Sequence, residues 1–144
     1  MNIFEALRED HDIQRKLLDQ LTDTSGETET RKAVFSKLKK ELRVHADAEE
    51  RYFYKPMISK DLTQDKARHS IAEHHDIDEL LENLESTDMS SPAWLRSAKD
   101  LKEMVTHHLD EEEHEVFQLA GKALDDNQKQ KLADTYRDYV NKNR

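Results

Sequence analysis

Two segments of the chain carry the same pattern at a fixed offset. His45 to Glu50 reads His-x-x-x-Glu-Glu, and His108 to Glu113 repeats it 63 residues later. A histidine at the same offset precedes each segment, His11 and His74, again 63 residues apart. The chain therefore reads as two copies of one unit, His followed by His-x-x-x-Glu. An internal repeat of this kind limits the available folds more than local propensity does.

The spacing also limits the chemistry. On an α-helix, residues i and i+4 lie about 40° apart around the axis and roughly 6 Å apart along it. His45 and Glu49 then point the same way, as do His108 and Glu112. Imidazole nitrogen and carboxylate oxygen both ligate first-row transition metals, and the mixed set favours iron, manganese or zinc over magnesium or calcium. Four helices that each bring one histidine inward, two of them with a glutamate, make the inventory of a two-metal site.

The elements can be read in order. Phe4, Leu7, His11, Leu18 and Leu21 recur at helical steps, which predicts a helix from about Asn2 to Asp23, with Gly26 breaking the chain after it. A second helix from about Thr30 to Tyr54 or Met57 carries Leu38, Leu42, His45, Glu49 and Tyr52 on its inner stripe, and Pro56 bends or stops it. A third, from near Thr63 to about Glu85, faces Ala67, Ile71, His74, Leu81 and Leu84 inward. Ser91-Pro92 reads as an N-cap followed by proline in the first turn, and the helix it starts runs to about Ala123. Its stripe is Trp94, Ala98, Leu101, Val105, His108, Glu112, Glu115 and Leu119. A short last helix, from Asn127 to about Asn141, presents Leu132, Tyr136 and Val140.

The predicted fold is all-α, an antiparallel up-down-up-down four-helix bundle with a short C-terminal fifth helix. The length, 144 residues, fits one domain built of two halves, about 1–60 and 61–124. Only two glycines and two prolines interrupt a chain that is 38% charged, which agrees with helices throughout. There is no cysteine, so thiolate ligation and disulfides are excluded. A net charge of −9 argues against nucleic acid and anionic membranes as partners, because both require a basic footprint. No secretory signal or membrane-spanning apolar run is visible, and the expected location is cytoplasmic.

Taken as a set, Asp10-His11, His45-x3-Glu49-Glu50, Glu73-His74 and His108-x3-Glu112-Glu113 resemble the hemerythrin-like, or HHE cation-binding, domain family. The leucines after His11 (Leu17, Leu18, Leu21) and after His74 (Leu80, Leu81, Leu84) belong to the same likeness, which covers about residues 5–120. The resemblance implies a four-helix bundle around a non-haem di-iron centre, two iron ions with an oxo or hydroxo bridge. Carried over by position, His11 and His45 serve one iron, His74 and His108 the other, and Glu49 and Glu112 bridge. Zinc or manganese are the alternative metals. Oxygen-carrying members place a fifth histidine one turn along the third helix, where this chain has Asp78, and separate the fourth-helix carboxylate from its histidine by five residues rather than four.

Several neighbours stay open as further ligands. His75 and His107 adjoin the chosen histidines but point about 100° away. Asp78, Tyr52 and Glu115 each lie near a stripe position. Glu111 and Glu113 read as part of a solvated acidic face, and His69 and His114 as exposed. A ferritin-like di-iron site is set aside, since only Glu111-x-x-His114 matches its Glu-x-x-His requirement.

Three functions are compatible with this reading. One is a di-iron protein that binds or senses O2, NO or iron. Another is a redox enzyme using the same centre to reduce O2, NO or peroxide. The third is a structural bundle with a vestigial or zinc-filled site. The partner is then a small diatomic ligand, O2 or NO, or peroxide. The last helix either caps the bundle or makes a dimer contact, so the chain is a monomer or a weak homodimer.

Overall fold

The computed structural model describes all residues, 1–144. Five long helical stretches account for the chain, and no strand is present. Helix α1 spans Ile3–Thr22, and its first turn is closed by a capping box in which Asn2 and Glu5 satisfy each other's backbone N–H. Helix α2 begins at Glu29–Glu49 behind the cap Thr28, widens into a π-helical turn over Glu50–Tyr54, and finishes as Lys55–Ile58. Helix α3 is Gln64–Ser86. Helix α4 starts at Pro92–Glu111 behind the cap Ser91, passes through a second π-helical turn over Glu112–Val116, and ends as Phe117–Ala123. Helix α5, Asp126–Asn143, is started by an Asp125–Gln128 capping box.

The first connection turns at Gly26, whose φ of 64° is the left-handed conformation that glycine adopts without strain. Arg31 shows how the connections are arranged. Its buried guanidinium donates to Thr24 Oγ1 and to the backbone carbonyls of Thr24 and Met89, and stacks on Trp94 at 4.7 Å. The α1–α2 and α3–α4 loops therefore sit at the same end, and successive helices run antiparallel. Helix α1 packs on both α2 and α4, α3 packs on α4, and α5 lies across α1 and α2. Over Glu29–Glu49, α2 barely touches α3, and the two helices meet through the α2 end from Glu50 to Ile58. No helix is long and apolar enough to cross a membrane.

The apolar interior is split in two. One cluster, around Trp94, Leu38, Leu81, Leu101 and Leu18, fills the end near the loops. The other, around Phe53, Met57, Phe117, Tyr136 and Val140, fills the end where α5 docks. Between them lies a buried polar layer of His11, His45, Glu49, His74, His108 and Glu112.

Candidate metal centre

The repeat converges as its spacing requires. His11, His45, Glu49 and Glu112 offer one ligand atom each within 4.8 Å of one another, and so do Glu49, His74, His108 and Glu112. The two groups share both glutamates. Glu49 lies between His45 Nε2 at 3.4 Å and His74 Nε2 at 3.0 Å. Glu112 lies between His11 Nε2 at 3.0 Å and His108 Nε2 at 3.5 Å. The i, i+4 spacing delivers one contact of each glutamate, and the opposite half of the bundle delivers the other. The imidazoles pair accordingly, with ring centroids 5.1 Å apart for His11 and His45 and 4.8 Å apart for His74 and His108.

These inward atoms lack hydrogen-bond partners. All four Nε2 atoms, both oxygens of Glu49 and Oε1 of Glu112 are buried without one. Their mutual approaches are ion-pair distances without hydrogen-bond direction. An unpaired buried carboxylate costs several kcal/mol, so this layer is unfavourable unless a cation completes it. Without a metal, protons take that place. Burial opposes charge on His45 and His74, yet Glu49 beside both of them moves the first up to about 10 and the second up to about 9. The same contest, with Glu112 on the winning side, raises His11. Four neutral imidazoles and two shared carboxylates fit a pair of first-row transition cations by donor type and by charge.

The outer ring nitrogens are all engaged. His11 Nδ1 donates to Glu113 at 2.8 Å, His74 Nδ1 to Glu50 at 2.9 Å, and His108 Nδ1 to Glu73 at 2.8 Å. His45 Nδ1 instead donates to the Tyr136 hydroxyl at 2.5 Å, which donates onward to Asp10 at 2.5 Å. These bonds fix each ring with Nε2 inward and make it a better donor to a cation. Glu113 is therefore not part of a solvated acidic face. It is mostly buried, held below its usual range to about 2 by His11 and Arg15 against the opposing effect of burial, and orients a histidine. The paired Glu-Glu of each motif signalled this arrangement: the first glutamate enters the centre, and the second supports a histidine of the other half.

The residues left open by the sequence lie outside the layer. His75 and His107 are 77% and 71% exposed and pair with Glu79 and Glu111. Asp78 binds Arg43 at 2.9 Å at the protein surface. Tyr52 packs on Tyr139, and Glu115, 53% exposed, binds Lys66. The tyrosine that does reach the centre is Tyr54, fully buried and donating its hydroxyl to Glu112 Oε2. The reason is the π-helical turn. In an α-helix the position one turn beyond Glu49 is Tyr52 or Phe53, whereas a turn closed by i→i+5 bonds makes it Tyr54. The matching turn in α4 moves Phe117 into the equivalent place and turns Glu115 and Leu119 outward in favour of Val116 and Ala120. On the surface, His69, Glu73 and Glu111 come together beside the layer, with His69 exposed as expected.

Where α2 and α3 part, a cavity of about 340 Å³ reaches inward to His45, His74 and His108. Its mouth carries Arg43, Asp47, Glu50, His75 and Asp78.

Comparison with known proteins agrees with this fold. A crystal structure of a hemerythrin HHE cation binding domain-containing protein from Mycobacterium kansasii shares the fold at a TM-score of 0.89 and 22% identity, covering 99% of this chain and 86% of that one. A DNA nickase of Nostoc sp. is 25% identical over 137 residues, which are 95% of this chain and 38% of that protein's length. The family model of the hemerythrin HHE cation binding domain matches residues 2–120. That match takes in both halves of the repeat and every side chain of the central layer, and on this ground the chain belongs to the hemerythrin HHE cation-binding family.

Proposed function

We propose that this chain is a non-haem di-iron protein that binds or senses O2, NO or iron. His11 and His45 hold one iron, His74 and His108 the other, and Glu49 and Glu112 bridge them. The supporting observation is the set of buried, unpartnered ligand atoms in two groups of four that share both glutamates. A bound iron pair would supply the redox chemistry and the Lewis acidity to hold a small ligand. The rest is the work of the protein. The Nδ1 bonds hold the imidazoles in place, the apolar clusters on both sides exclude water, and the cleft between α2 and α3 admits a ligand.

A redox enzyme reducing O2, NO or peroxide is the second reading, and Tyr54 favours it. Its phenol is fully buried, and its Oη–H donates to Glu112 Oε2. That is a phenolic proton held against one of the two shared glutamates of the centre. DNA nicking is not carried over from the Nostoc relative, because the chain spans 38% of that protein and its net charge is −9.

The test is metal analysis of protein produced with iron. Two irons per chain and an oxo-to-iron charge-transfer band are expected, while one zinc or no transition metal would overturn the reading. Glu49→Ala and Glu112→Ala should each lower occupancy towards one metal, because removing a shared anion leaves two cations repelling at short range. Rapid-mixing spectra of the reduced protein with O2, NO and peroxide separate the two readings: a lasting adduct marks a binder, turnover an enzyme.

A further inference from the structure

One polar group next to the centre, Gln14, is buried with its amide nitrogen unpartnered. Below the histidines, towards the cluster around Trp94, each helix supplies the next inward residue: Gln14 from α1, Leu42 from α2, Ile77 from α3 and Val105 from α4. All four line the cavity that reaches His45, His74 and His108. In the repeat, Leu42 corresponds to Val105, apolar for apolar, while Gln14 corresponds to Ile77. Three positions of this layer are therefore hydrocarbon and one is a carboxamide. Gln14 is 1% exposed, and its Nε2 has no hydrogen-bond partner. A buried donor left unpaired is destabilising. An isoleucine, as in the other half, would fill the place without that penalty.

We infer that the Gln14 carboxamide is the hydrogen-bond donor for the exogenous ligand of the centre, and that it selects a small anion over a neutral diatomic molecule. The inference rests on the dinuclear reading above. A ligand entering between α2 and α3 meets the inward histidines at one end of the cavity and Gln14 in its wall. The remaining wall groups at that depth, Leu42, Ile77, Leu81 and Val105, offer no donor. A hydrogen bond to a charged acceptor is about twice as strong as one to a neutral acceptor. The amide therefore stabilises a ligand whose free end carries negative charge, such as peroxide or azide, more than it stabilises NO. The volume of about 340 Å³ admits a molecule of a few atoms together with water.

The test is a spectral titration of the iron-loaded, oxidised protein with azide, alongside NO binding to the reduced protein, with metal content measured for each sample. Gln14→Leu should keep its metal, melt no lower than wild type, and bind azide about tenfold more weakly, the equivalent of about 1.4 kcal/mol. Its affinity for NO should change by less than about threefold, since a neutral acceptor gains less from the bond. Gln14→Glu, of the same length but anionic, should weaken azide at least as much. Loaded wild-type protein that ignores azide, or a Gln14→Leu variant whose azide affinity equals the wild type's, overturns the inference and leaves the dinuclear reading standing. A wild-type protein that takes up no metal pair removes both.

Discussion

His45 and His108 hold equivalent places in the two halves, and their surroundings differ. His108 leans on Glu73 directly. The matching residue beside His45 is Asp10, one methylene shorter, and its carboxylate stays 4.0 Å from Nδ1. Tyr136 of α5 fills that gap and links the two. The surrounding faces differ in the same sense. Around Asp10 the first half presents Ala6, Val44 and Ala48, small or apolar, and α5 lies close on them through Ala133, Tyr136 and Val140. At the corresponding positions the second half presents His69, His107 and Glu111, and no helix covers them. A shorter carboxylate and a pair of alanines mark the copy of the repeated surface on which α5 docks. The other copy carries polar side chains there.

The sharpest way to break this comparison is to remove the docked ring. Tyr136→Ala deletes a fully buried aromatic and should cost about 3–5 kcal/mol in denaturant unfolding. A loss under about 1 kcal/mol would mean that α5 only rests on the bundle. On the open face the expected loss is of metal rather than of fold. Glu73→Ala should weaken metal binding about 10–100-fold, as the loss of a carboxylate behind a ligating histidine typically does. Unchanged metal affinity, measured by chelator competition, would show that solvent can orient His108 as well as Glu73 does. Tyr136→Phe keeps the packing but strands His45 Nδ1 and Asp10 Oδ2, and should cost about 1–3 kcal/mol. Adding Asp10→Glu to that variant restores the second half's direct contact and should recover about 1 kcal/mol. A double variant no more stable than Tyr136→Phe alone would show that side-chain length is not what separates the halves.

The sequence made the centre legible because its information is local and doubled. His45 with Glu49 and His108 with Glu112 need only one helical turn, and His11 and His74 follow from the offset. The helices were legible for the same reason, with Gly26 and Ser91-Pro92 marking ends that the structure keeps. Two things were not legible. A π-helical turn inserts one residue into a stripe without leaving a mark on hydrophobic periodicity, so the 3.6-residue step pointed to Tyr52 and Glu115 where the fold uses Tyr54 and Phe117. Tyr136 meets His45 across 91 residues, a contact that only the packing of α5 creates. Its stripe position showed that it was buried, not what it would meet.

The split interior has a consequence for how the molecule holds together. Side-chain packing is continuous within each apolar cluster and interrupted between them by the charged layer. Only the helical backbones and the groups of that layer connect the two clusters. A cation pair drawing all four helices inward would therefore act as a keystone, and its binding free energy would appear as cooperativity between the ends of the bundle. Amide hydrogen exchange along α1 should then be uniform in loaded protein. In metal-free protein it should be graded, each end opening with its own free energy.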